Sequence, residues 1–100
     1  MATKTFKIGE RAKGGVITAE TTKDTITLIA KLWDTSAGYT KSSNQSNAKE
    51  MYRITVDVND SKAHWKLFNW ASEESTSYHA DEIIKWVKSK VELKKDSMWL

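Results

Sequence analysis

Histidine is the side chain that most readily moves a proton near neutral pH, and this chain has two, His64 and His79. Neither has a second histidine at the three- or four-residue spacing that would set two ligands on one helix face. There is no cysteine to complete a zinc set or to serve as a thiolate nucleophile. Asp81 follows His79 by two residues, at what reads as a helix N-terminus, where such residues cap the helix or face water. Serine is plentiful enough that a Ser-His-Asp set can be drawn in several ways, which removes its meaning. The expectation is a non-enzymatic protein with no catalytic residue, no metal and no cofactor.

Glycine and cations offer a different chemistry, the holding of an anion. The run Gly9-Glu10-Arg11-Ala12-Lys13-Gly14-Gly15 has the outline of a phosphate loop. A true loop of that kind needs Lys and then Ser or Thr after its last glycine, with a helix behind it so that amides and dipole both point at phosphate. Here Val16 and a strand pattern follow. What remains is a turn whose glycine amides, at Gly14 above all, could form an anion-holding nest beside Arg11 and Lys13. A hairpin turn with solvated charges is the alternative.

The net charge of +3 comes almost wholly from lysine, since Arg11 and Arg53 are the only arginines. Lysine gives a diffuse positive surface, whereas arginine is preferred for bidentate phosphate recognition. The charge allows an anionic partner without demanding one. Lys88, Lys90, Lys94 and Lys95 read as a solvated helix end, so nucleic acid is a possible partner and not the favoured one.

Aromatic residues carry more information. Five tryptophans in 100 residues exceed what one small core needs, and Trp and Tyr are enriched at interfaces. Trp33 ends a strand pattern on the face opposite Leu28 and Leu32, Trp86 flanks a helical stripe, and Trp99 belongs to a tail without periodicity. Either most of them fill the core, or one or two, with Tyr39 or Tyr52, stack on a base or anchor a second subunit.

The elements that must position these residues follow from periodicity. Phe6 and Ile8 alternate with Thr5 and Lys7 in a short strand ended by Gly9, and residues 10–15 make the turn. A second, β-branched strand runs from Val16 to Thr22, and Thr22-Lys23-Asp24 turns into a third. There Ile26, Leu28, Ala30 and Leu32 alternate with Thr25, Thr27, Ile29 and Lys31. Residues 35–49 are polar and aperiodic, a long loop of the functional or disordered kind. Tyr52, Ile54, Val56 and Val58 then mark a fourth strand. The stretch 62–72 fits a helix better than a twisted strand. From Ser77, read as an N-cap, to Leu93 the stripe Ala80, Ile83, Ile84, Val87 and Val91 defines an amphipathic helix, expected on strands three and four. The predicted fold class is α+β: a four-stranded antiparallel meander sheet packed by one or two C-terminal amphipathic helices. Residues 1–95 form a single domain and 96–100 a tail.

The length suits one domain, and the charged share of 29% with ten aromatics is a folding composition. No apolar run approaches membrane-spanning length, and the N-terminus lacks the apolar stretch of a secretion signal. A cysteine-free domain of this size fits the cytoplasm.

Two stretches carry a family resemblance. Lys7-Ile8-Gly9-Glu10 followed by Gly14-Gly15-Val16-Ile17, and Ser77-Tyr78-His79-Ala80-Asp81 with Trp86 downstream, resemble the first Thoeris anti-defence family. These are small phage-encoded proteins that sequester a cyclic ADP-ribose-type immune signal. The resemblance covers about a quarter of the chain. It implies a non-enzymatic sponge in the host cytoplasm, a homo-oligomer holding a nucleotide-like small ligand. Arg11, Lys13 and Arg53 would take the phosphates, and Tyr78 or Trp86 would stack. With Gly14 in the turn and His79 beside Tyr78 at the helix N-terminus, these make up the expected ligand site. The alternative partner is a protein, met by exposed aromatics and the 35–49 loop.

Overall fold

The structure, a computed structural model, describes residues 1–9, 13–34 and 50–93. Arg11, most of the turn around it, the 35–49 loop and the 96–100 tail fall outside those residues. Strands β1 (Ala2–Gly9), β2 (Lys13–Thr21), β3 (Thr25–Asp34) and β4 (Glu50–Asp57) precede helices α1 (Ala63–Glu74) and α2 (Ser77–Lys90). The strands form one antiparallel sheet in the order β1-β2-β3-β4, so the α+β meander read from periodicity is the fold.

Alternation decides the two faces. Because successive side chains on a strand point to opposite sides, one set from each strand is buried together: Phe6 and Ile8, Ile17 and Ala19, Leu28 and Ala30, and Val56. The helices seal that face. Ala63, Leu67 and Ala71 recur every four residues along α1 and are fully buried, and this spacing is why 62–72 is helical. In α2 the buried stripe is Ala80, Ile83, Ile84 and Val87, with Val91 half-buried at the C-cap. Each large aliphatic side chain removed from water here contributes roughly 1.5–3 kcal/mol at most.

Helix placement departs from expectation. α1 lies over β4 and β3, whereas α2 packs against α1, β2 and β1. A buried stripe fixes which face of a helix turns inward and says nothing of which strand it meets. The short Ser75-Thr76 link is what decides, because it sends α2 back alongside α1 and over the first hairpin.

The hinges are local hydrogen-bond solutions. Thr22 Oγ1 accepts from the backbone N–H of Asp24 and Thr25 at 3.1 and 2.9 Å, closing the β2–β3 turn. Asp57 Oδ1 accepts from the Asn59 N–H at 2.7 Å, and Asp60 Oδ1 from the Lys62 N–H at 2.8 Å, which turns β4 into α1. Thr76, one residue before the expected Ser77, is the N-cap of α2, and its side chain accepts from the His79 N–H.

The paired glycines were expected in the turn, yet Gly14 and Gly15 belong to β2. Gly15 stands between Ile8 of β1 and Leu32 of β3. A Cβ there would lie 2.5 Å from the Lys31 carbonyl oxygen and 2.7 Å from Leu32 Cδ2. The glycine is needed for close approach of β3, not for an unusual backbone angle. β2 accordingly begins at Lys13 and not at Val16.

Candidate anion-binding face

Both described helices lie on one side of the sheet, and among the described residues no helix packs on the other side, an arrangement antiparallel sheets permit. On that side the register builds cross-strand rows. One row is Thr3, Glu20, Thr27 and Thr55, the next Thr5, Thr18, Ile29 and Arg53. A third brings Lys7, Val16 and Lys31 together. Threonine suits such a surface because its branched Cβ favours the strand while its hydroxyl faces water. The hydroxyls of Thr5 and Thr18 are 3.1 Å apart, and those of Thr27 and Thr55 3.3 Å, so the rows are tied across strands.

Charge on this face is segregated along the strands. Lys7, Lys31 and Arg53 are exposed and fall within two adjacent rows, while Glu20 and Asp57 lie further toward the β2–β3 turn. The only ion pair among the described residues is Lys66 Nζ with Asp60 Oδ2, at 2.6 Å, on the α1 side. None of the three cations on the open face therefore has a carboxylate partner among the described residues.

The expected site residues do not form one constellation. Arg53 stands on the open face opposite Ile29. Tyr78 and His79 occupy the first turn of α2, across the sheet from Arg53, their rings in a T-shaped contact at 5.5 Å. Tyr78 is 72% exposed. Trp86 is half-buried: its ring meets Phe6, and Lys90 Nζ lies 5.9 Å from the ring centroid. An incoming base would have to displace Lys90 from that ring. Lys13 and Gly14 are strand residues paired with Asp34 and Trp33, so the Gly14 amide sits in a strand flanked on both sides and not in an open turn. Since the sheet separates Arg53 from Tyr78, His79 and Trp86, one small ligand cannot touch both groups within a single chain.

Sequence reading missed Lys7 and Lys31, which are 24 positions apart in the chain and meet only through the register of β2. The signal was present in the alternation: both occupy the polar phase of their strands, as Arg53 does.

Among the described residues no group of three or more His, Asp or Glu could hold a metal ion, and no helix is long and apolar enough to cross a membrane. No family model matches the chain, and neither a curated protein nor a solved structure matches it.

Proposed function

We propose that this chain is a non-enzymatic binding domain that captures an anionic, nucleotide-like ligand on the sheet face opposite its two described helices. The observation that supports this reading is the placement of the exposed Lys7, Lys31 and Arg53 in two adjacent rows of one sheet face, with Glu20 in the row that follows. Arg53 supplies the bidentate contact to phosphate, and the lysines supply point charges. Threonine hydroxyls beside them can donate to the remaining oxygens. The resemblance to the anti-defence family gives this reading a setting: a phage-encoded sponge for a cyclic nucleotide signal, working as a homo-oligomer in the host cytoplasm. In such an oligomer a ligand could meet Arg53 of one copy and Tyr78 of another.

Calorimetric titration against cyclic and linear nucleotides tests the capture. Heat of binding that is lost in Arg53→Ala supports it, and no heat for any member of the panel refutes it. Light scattering reads the oligomeric state, and native mass spectrometry shows whether a ligand co-purifies.

A second reading has its own observation. Tyr78 is the most exposed aromatic side chain of the described residues, at 72%, on the helical side of the molecule. Such a residue suits the anchor of a protein-binding inhibitor or interaction module. A pull-down in which Tyr78→Ala loses a partner while Arg53→Ala keeps it would favour that function.

A further inference from the structure

The backbones of the three cations on this face are spread over a greater length than one phosphate group. Neighbouring strands lie about 4.8 Å apart, so Lys7 and Lys31, separated by β2, have backbones roughly 10 Å from each other. Arg53 stands one strand beyond Lys31 and two residues along β4, which adds roughly 8 Å. The three together span roughly 16 Å across the sheet.

We propose that this face binds a single-stranded oligonucleotide, its phosphodiester backbone crossing the strands over Lys7, Lys31 and Arg53. The proposal rests on the reading that nucleotide phosphates are taken here, and it names the class of nucleotide. At 3.4 Å per nucleotide of a stacked strand, a 16 Å span corresponds to about five nucleotides. That lies within the range of about 4–16 nucleotides held by sheet-based single-strand binders. Val16 lies between Lys7 and Lys31 in their row, and Ile29 stands opposite Arg53 in the next. Both are half-buried, which leaves part of each apolar surface for bases lying beside the cations. Nothing at these positions reads base edges, so binding is tolerant of sequence.

Width argues against a duplex. A major groove about 12 Å wide admits a two-stranded ribbon, whereas four strands already span roughly 14 Å between their outer axes before side chains are added. A flexible single strand can lie across such a surface.

The test uses fluorescence anisotropy of labelled oligothymidylates and oligouridylates of one, three, six and twelve nucleotides, beside a twelve-base-pair duplex, over a range of salt. Binding should tighten by at least about tenfold from the mononucleotide to the hexamer and change little beyond it. For the hexamer the slope of log affinity against log salt should be about −2, from three phosphate contacts at about 0.7 each. Lys31→Gln and Arg53→Gln should each remove about 0.7 from that slope. Lys88→Gln, an equal change of charge on the exposed side of α2, should leave it in place. The two sugars in the series distinguish RNA from DNA as the source of the strand. A mononucleotide that binds as tightly as the hexamer overturns the inference and leaves the capture of nucleotides standing. A duplex that binds as tightly as the single strands overturns it too, as does a slope indifferent to Lys31 and Arg53. Binding of none of the probes overturns the inference, and the calorimetric titration with cyclic and linear nucleotides then decides the reading beneath it.

Discussion

Phe6 of β1 and Trp86 of α2 meet edge to face, their ring centroids 6.2 Å apart and their planes inclined by 77°. This contact joins the first strand to the last helix, and a lysine flanks each ring: Lys4 Nζ is 5.3 Å from the Phe6 centroid, and Lys90 Nζ 5.9 Å from that of Trp86. Phe6 is only 5% exposed, so Phe6→Ala should destabilise the domain by about 3–5 kcal/mol in urea denaturation. A double-mutant cycle with Trp86→Ala should return a coupling of about 0.5–1.5 kcal/mol beyond the burial of each ring. Strict additivity would show that the two rings are merely neighbours.

Gly15→Ala should destabilise by about 1–3 kcal/mol, since the added methyl meets the Lys31 carbonyl and cannot be accommodated without moving β3. At an unhindered position the same change would stabilise by about 0.4–1 kcal/mol through the unfolded chain. The sign of the shift in denaturation midpoint is therefore the readout. A gain would mean that β2 and β3 do not approach as closely as the register requires.

Thr76 Oγ1 accepts the His79 N–H at 3.3 Å, a long capping bond. Thr76→Ala should therefore cost toward the lower end of the capping range, about 0.5–1 kcal/mol, and Thr76→Asp should preserve stability. Loss of helical circular dichroism on mild heating of the alanine variant, restored by aspartate, checks the assignment. Equal behaviour of the two variants would remove Thr76 from that role.

Asp60 gives an acid-dependent term. The hydrogen bond from Lys66 Nζ, then that from the Lys62 backbone N–H, lowers its carboxyl below the ordinary 3.8. A carboxylate with a depressed folded-state pKa adds stability that is complete above its unfolded value and disappears as pH falls through the folded one. Urea midpoints measured between about pH 5 and pH 2 should thus fall less steeply in Asp60→Asn than in the parent chain. Parallel curves would show that the pairing with Lys66 does not persist in solution.

How much of this was legible beforehand differs from element to element. Strands β3 and β4 and helix α2 stood out because their apolar residues keep period two or period 3.6 without interruption. β2 was harder to delimit. Gly14 and Gly15 carry no side chain to continue the alternation, and a glycine pair ordinarily marks a turn. The reason Gly15 belongs in a strand is the proximity of Lys31 and Leu32, and that contact is made across the β2–β3 hairpin. Helix α1 was ambiguous because Trp65, Leu67, Phe68 and Trp70 fit two periods at once. The interval of four between Ala63, Leu67 and Ala71 identifies its buried face. In the candidate site, Arg53 was visible as one of two arginines, whereas Lys7 and Lys31 looked like ordinary solvated charges. Their grouping depends on strand order and register, which no local pattern encodes.

The seating of α2 on β1 and β2 also bears on how the chain matures as it is made. The first hairpin is translated well before the helix that shields it, and at about 5–20 residues per second the interval lasts several seconds. During that time Phe6, Ile17 and Ala19 have no cover from α2, and the nascent hairpin presents an adhesive surface to chaperones or to other chains. Completion of the domain thus waits on the emergence of α2 from the ribosome. A polypeptide that stalls before Ser77 would be a target for quality control rather than a smaller version of the same fold.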